Sequence, residues 1–338
     1  MTIKDIARIC GVSRGTVDRV LNNRGKVNPD TEALIRQTMQ NMGYTKNIVA
    51  RALTVKRSSP VIGVILCSEG NPFFDMVLEG IYDAQKERVD YGVSMLLRTL
   101  HGYDVNKQLE AITALEATIS ALVIQPINDE RIEEKIAKLK KRGIPTITIN
   151  SDLPNSSRCC YVGSDYESGG STAAGLMRLA TQGKAKLGII GGVDSLLGHT
   201  LRQLGFEKRI QQCAPQITIV AKENAMDNPE KAFAITTKML TEHTDITALF
   251  VVAMGLDQVC KAVLALGREH PLYIVGYDDV PATRAFIQSG VVCGVVCQQP
   301  YEQGYRAFQT AFDCVLSGSW EPLPAIIMDN QVKLAENV

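Results

Sequence analysis

The stretch Thr2-Ile3-Lys4-Asp5-Ile6-Ala7-Arg8-Ile9-Cys10-Gly11-Val12-Ser13-Arg14-Gly15-Thr16-Val17-Asp18-Arg19-Val20-Leu21-Asn22 decides how this 338-residue chain begins to fold. Ala7, Gly11 and Val17 stand at the Ala-x3-Gly-x5-Val spacing of a helix-turn-helix. A small residue at 7 lets a second helix cross close above the first. Gly11 can take the positive φ of the tight turn, and Val17 plugs the angle between the helices. Thr2 with Asp5 makes a capping-box-like start, with Asp where Glu or Gln is usual, and Ile3, Ile6 and Ala7 face inward. Ser13 is placed to cap the second helix, whose inner face is Val17, Val20 and Leu21. Arg14, Gly15, Asp18, Arg19 and Asn22 are left outward, at the end of the helix that enters a major groove.

Downstream, Asn28-Pro29 starts a third helix as N-cap and first-turn proline, with Gly43 as its stop and Leu34, Ile35, Thr38 and Met42 as its expected buried stripe. The net charge of zero hides an asymmetry: residues 1–58 hold 11 Lys and Arg against 4 acids, and the remainder holds 25 against 32. A basic module on an acidic body is the charge pattern of a nucleic-acid binder with a separate sensing domain.

Those residues resemble the lactose/galactose repressor family of transcriptional regulators. Val12 to Asn22 is similar to its recognition helix, and the likeness continues through Val27-Asn28-Pro29-Asp30-Thr31, Gly43-Tyr44 and Asn47-Ile48-Val49-Ala50-Arg51-Ala52-Leu53. The resemblance implies DNA contacts from Ser13, Arg14, Gly15, Thr16, Arg19 and Asn22. It also implies a hinge helix that folds on operator DNA, with Ala50 contacting DNA and Leu53 as a minor-groove wedge. Asp18 is a departure, since many members carry Ser there near a phosphate. The implied fold is an N-terminal all-α helix-turn-helix of three helices plus the hinge helix. It is followed by an α/β two-lobed type I periplasmic-binding-protein fold with parallel sheets.

The body's own pattern agrees. Val61-Ile62-Gly63-Val64-Ile65-Leu66-Cys67 is a short apolar run bounded by turn residues, hence a buried parallel strand. Helix 73–90, strand 93–98, helix 104–117, strand 120–125, helix 130–142 and strand 144–149 follow. A second alternation runs from near Tyr161 through helix 166–182 to strand 291–297, helix 301–317 and a strand or two after Pro324. Two βα runs mean two lobes, with ligand chemistry at the carboxyl ends of the strands. The expected domains are 1–46 (DNA-binding), 47–59 (hinge and linker) and 60–338 (effector-binding). The first lobe takes about 60–160 and 298–322, the second about 161–297 and 323–338, with crossings near 160, 298 and 322.

A cleft that clamps a sugar needs carboxylates and amides for vicinal hydroxyls, and aromatic faces for C–H surfaces. Asn71-Pro72-Phe73-Phe74 after the first strand is similar to the Asn-Pro-Phe-Phe of ribose-type binders. The resemblance further implies effector contacts at Asn150 and Asp152, at Arg202 four residues before Phe206, and at Asp278 and Gln298. Met226 stands where an aromatic plate is often found, and Ser151 replaces an arginine. Each has a plainer reading: Phe73 and Phe74 as core, Asp278 or Asp279 as a helix cap, Gln298 as a crossover residue, Arg202 paired with Glu207.

Other classes fare worse. The four histidines (101, 199, 243, 270) show no metal spacing, and neither a Gly-x-Ser-x-Gly elbow nor a phosphate loop occurs. Gly188 to Gly192 lacks the dinucleotide register and reads as a tight strand-to-loop turn. No enzyme activity, cofactor or metal is expected. Nine cysteines without a metal or redox motif suit buried free thiols in a reducing cytosol. No apolar run approaches the roughly 18 residues of a membrane span. The expectation is a cytoplasmic, nucleoid-associated bacterial regulator, a homodimer on double-stranded operator DNA, controlled by a small carbohydrate-like effector. The alternative is a solute-binding protein of a transporter without a DNA-binding role; the body alone fits it, but it would need a secretion signal where a capped helix pair stands.

Overall fold

The computed structural model describes residues 3–21, 27–42, 58–67, 69–267, 272–318 and 321–338. Three short helices open it: α1 (Ile3–Ile9), α2 (Arg14–Leu21) and α3 (Pro29–Asn41). They close on Ile6, Ala7, Val17, Val20 and Ile35. Gly11 has φ +64°, the left-handed turn its position demands. Ser13 Oγ accepts the Thr16 N–H at 3.0 Å, and Asn28 Oδ1 accepts that of Asp30 at 2.9 Å, so two of the sequence caps form. The third-helix stripe differs from expectation. Ile35 is buried and Met39 packs beside it, but Leu34 and Met42 are exposed, because the two neighbouring helices, 7 and 8 residues long, cover only one narrow face of α3. Thr2, Asn22 and residues 43–57, with Gly43, Ala50 and Leu53 among them, lie outside the described residues.

The first sheet runs β11-β5-β4-β3-β1-β2, all parallel: β1 (Val61–Leu66), β2 (Ser94–Thr99), β3 (Ala121–Ile124), β4 (Thr146–Ile149), β5 (Cys160–Ser164) and β11 (Ile326–Met328). β1 is apolar throughout because both faces are covered. Ile62, Val64 and Leu66 pack against α4 (Phe73–Lys86) and α12 (Pro300–Ser317). Ile65 meets the core under α5 (Val105–Leu115) and α6 (Glu130–Lys141).

The second sheet runs β12-β10-β9-β8-β6-β7. It comprises β6 (Lys184–Gly191), β7 (Gln216–Asn224), β8 (Ala248–Val251), β9 (Tyr273–Tyr277), β10 (Gly294–Cys297) and β12 (Gln331–Lys333). Its helices are α7 (Tyr166–Ala180), α8 (Leu197–Cys213), α9 (Pro229–Glu242), α10 (Leu256–Ala265) and α11 (Pro281–Gln288). β12 is antiparallel to β10, so this sheet is parallel except at one edge. Phe206 stacks on Phe250 at 3.9 Å in its core.

Two of the lobe crossings fall later than expected. β5 and β11 pair with each other in the first sheet, so the chain leaves the first lobe after Ser164 and, for the last time, after Met328. In the middle of the body, the chain passes through Gln298 from β10 of the second sheet to α12, which packs on the first. Among the described residues no helix is long and apolar enough to cross a membrane. Six of the nine cysteines are buried thiols, Cys10 and Cys293 are half-buried, and Cys213 is exposed.

Candidate functional site

The carboxyl ends of both sets of strands open onto one cleft of about 660 Å³, counting its mouth. On the first lobe, Asn71 Oδ1 accepts the Phe73 N–H at 3.1 Å and starts α4, which delivers Phe73 and Phe74 edge-to-face, 5.2 Å apart. Both rings are buried, yet both line the cleft. The pair is thus core and cleft wall at once. Asn150, at the end of β4, has φ +61°, which turns its amide toward the cleft; Gln125 Nε2 donates to its Oδ1 at 3.5 Å.

The second lobe holds a continuous polar chain. Arg202 on α8 is only 4% exposed. Its Nη1 donates to the Val252 carbonyl at 3.0 Å, its Nη2 donates to Gln298 Oε1, and its guanidinium lies over Tyr277 and Tyr166, 4.1 and 4.9 Å from the ring centres. Gln298 in turn donates through Nε2 to Asp278 Oδ2 at 2.6 Å and through its backbone N–H to Oδ1. Burial pushes the Asp278 carboxyl up to about 6, against the pull of Arg202 and Gln298. Glu207 is not the partner of Arg202; it accepts from Gln203 and Lys222. Neither Asp278 nor Asp279 caps α11, whose first turn is closed by Thr283 instead. Asp279 faces away and is held by Arg284 and Lys333, at 2.9 and 2.8 Å; these partners keep its carboxyl low despite burial.

The structure brings Asn71, Phe73, Phe74, Asn150, Arg202, Asp278 and Gln298 to the cleft. Two candidates it does not. Asp152 is held by Arg158 Nε and Nη2, at 2.5 and 2.7 Å, and by Thr148, below the cleft wall. Met226 is 47% exposed and points away, and its neighbour Asp227 takes the place at the wall. Tyr103, Gln125, His199 and Asp227 also line the cleft, although the sequence reading passed over them. They stand at or just after the ends of β2, β3 and β7, or on the first turn of α8, so the strand-end rule applied to every strand would have found most of them. His199 Nδ1 accepts the Val193 N–H at 2.9 Å, and burial holds the ring neutral. Gly192 makes room for that ring: a Cβ there would sit 2.3 Å from His199 Nδ1.

On the helical module, Ser13, Arg14, Gly15 and Arg19 are exposed and Thr16 is half-buried. A Cβ on Gly15 would meet only Ser13 Oγ, at 3.7 Å, so this face presents bare backbone between two arginines. Among the described residues there is no cluster of His, Cys, Asp and Glu able to hold a metal ion.

Known proteins resemble the chain over nearly its whole length, in two parts. The family model for bacterial regulatory proteins, lacI family, matches residues 2–47, and that for the periplasmic binding protein domain matches 62–318. The transcriptional repressor PurR of Pectobacterium carotovorum subsp. carotovorum (strain PC1) is 26% identical over 324 residues, covering 94% of this chain and 91% of its own. The transcriptional regulator DegA of Bacillus subtilis (strain 168) is 30% identical over 300 residues, covering 87% and 77%. Among solved structures, GanP, a glucose-galactose binding protein from Geobacillus stearothermophilus, superposes with a TM-score of 0.76 at 26% identity, covering 82% of this chain and 98% of its own.

Proposed function

The chain belongs to the LacI family of bacterial regulatory proteins, DNA-binding transcription regulators with a ligand-binding domain, and we propose that it is a repressor governed by a neutral sugar or polyol. The Arg202–Gln298–Asp278 chain facing Phe73 and Phe74 carries the reading. A guanidinium, an amide and a carboxylate in series alternate donors and acceptors, as a row of hydroxyls requires, and the two rings suit the C–H face of a pyranose or furanose. The glucose-galactose binder of similar fold and the repressor among the relatives support the same reading.

In this mechanism two chains form a homodimer in the bacterial cytoplasm and present paired helix-turn-helix units to half-sites of a near-palindromic operator. Arg14 and Arg19 reach bases or phosphates, with Ser13, Thr16 and Asn22 beside them. Hinge residues 47–55 fold on the duplex, with Ala50 contacting DNA and Leu53 prying open a central step, at a cost of about a few kcal/mol that groove contacts offset. Closure of the cleft on the effector moves the first lobes of the two chains relative to each other. A coupling of about 1–3 kcal/mol between the sites changes operator affinity ~5- to 150-fold.

The test is a thermal-shift screen followed by calorimetry, with D-ribose, D-xylose, D-glucose, D-galactose, D-arabinose and myo-inositol as probes. Saturable binding of one of them, lost in Asp278→Ala, is expected. Failure of all of them to bind, alongside saturable binding of a non-carbohydrate in the same screen, overturns the carbohydrate reading.

A further inference from the structure

The loop after β7 holds two consecutive non-glycine residues in left-handed backbone, Met226 at φ 59° and Asp227 at φ 53°. Side chains rarely adopt this conformation, and it persists where the surroundings fix it. Its effect is to turn Met226 out to solvent and Asp227 into the cleft. Asp227 Oδ2 accepts a 2.6 Å hydrogen bond from the Tyr103 hydroxyl, which stands on the loop after β2 in the opposite lobe. Burial and the Asp227 charge hold that phenol well above its usual range, so it stays a donor. The bond thus spans the cleft. A second bridge, from the Asn128 N–H to the Ser195 carbonyl at 3.0 Å, joins the same two lobes.

The other carboxylate oxygen, Asp227 Oδ1, is buried and has no hydrogen-bond partner. A carboxylate oxygen out of water needs a donor. Arg202 Nε, across the same cavity, is also buried without an acceptor. The cavity therefore carries an unmet acceptor at Asp227 and an unmet donor at Arg202, with the Tyr277 hydroxyl on its wall also unpartnered, and a guest with hydroxyls can meet them.

Building on the carbohydrate reading above, we propose that Asp227 determines specificity. Its Oδ1 reads one hydroxyl of the effector while Tyr103 holds its Oδ2 from the other lobe, so recognition of that hydroxyl and closure of the cleft are one event. Where an aromatic plate would favour an apolar face of the sugar, this wall selects a hydroxyl-bearing edge. It rejects a guest with a carboxylate or phosphate at that edge.

The experiment takes the best binder of the six probes named above and its monodeoxy analogues, measured by calorimetry on the full chain. For the wild type, one deoxy position lowers affinity ~10- to 100-fold, the range of a hydrogen bond to a charged group. In Asp227→Ala that discrimination vanishes: the parent sugar falls to the affinity of the deoxy analogue, and the other analogues keep their ranking. Tyr103→Phe, which keeps the ring, widens the sugar-saturated chain in small-angle X-ray scattering while the far-ultraviolet circular dichroism stays unchanged. Retention of the full deoxy discrimination by Asp227→Ala overturns the proposal and leaves the carbohydrate reading standing. An unchanged scattering profile for Tyr103→Phe overturns the latch. If none of the six probes binds and a non-carbohydrate in the same screen does, the carbohydrate reading fails, and Asp227's role falls with it.

Discussion

Replacing Asp278 by Asn pits effector binding against stability, and the structure gives the sign of both effects. The Asp278 carboxyl sits at about 6 in the folded chain against an ordinary 3.8. That difference is about two units, or roughly 3 kcal/mol of penalty on the ionised form. The penalty is fully present above pH 6, shrinks between 6 and 3.8, and vanishes below 3.8, where folded and unfolded chains are both protonated. Asn resembles the protonated form in shape and charge, so the substitution removes the penalty. It can still accept from only one of the two Gln298 donors, which returns about 1 kcal/mol. The net effect at pH 8 is a gain of about 2 kcal/mol, or about 4–8 °C in the transition of a lobe of this size. Effector affinity should fall ~10- to 100-fold, because charge-assisted bonds to hydroxyls become neutral ones. Calorimetric melting of wild type and Asp278→Asn without effector, at pH 8 and at pH 4.5, reads the first effect; titration with the sugar reads the second. A variant that melts lower than wild type at pH 8, or whose gain is larger at pH 4.5, would refute the reasoning.

Other outcomes follow from the same geometry. Sugar affinity of the wild type should be flat above pH 7 and weaken as pH falls through about 6, since effector hydroxyls donate to the ionised carboxylate, and Asp278→Asn should lose that slope. Ser13→Ala removes the oxygen that accepts the Thr16 N–H and should cost the helical module about 1 kcal/mol, read by chemical denaturation. Arg19→Ala should weaken operator binding and lower the slope of log affinity against log salt by about 1 if the arginine neutralises a phosphate. Leu53→Ala should weaken operator binding more than twofold; a smaller change removes the minor-groove wedge from the mechanism.

Much of this was readable in the chain because the informative residues act locally. Ser13 and Asn28 cap helices two or three residues away, Gly11 answers a single turn, and β1 announces its burial by unbroken apolarity. Asn71, Asp278 and Gln298 stand just after strand ends, where the order of elements alone directs attention, whereas Arg202, inside a helix, was reached through the family resemblance. What escaped depends on torsion or on distant partners. Met226 and Asp227 are adjacent, and only two left-handed residues in succession decide which of them faces the cleft. Asp152 looks like a ligand acid until Arg158 folds back onto it across the turn before β5. The crossings moved because the sheet that claims Cys160–Ser164 and Ile326–Met328 is set by their pairing with each other, more than 160 residues apart. Leu34 and Met42 carry the right residue type on a helix whose partners cover a narrower face than the sequence pattern suggests.

The central claim is that occupancy of the cleft sets the grip on DNA. Its most direct measurement is the affinity of the full chain for the promoter duplex beside its own coding region, titrated with and without the sugar found in the screen. The account predicts salt-dependent, sequence-specific binding that the sugar shifts ~5- to 150-fold, with the shift lost in Asp278→Ala while sugar-free binding remains. Equal affinity with and without a sugar that demonstrably fills the cleft would contradict it.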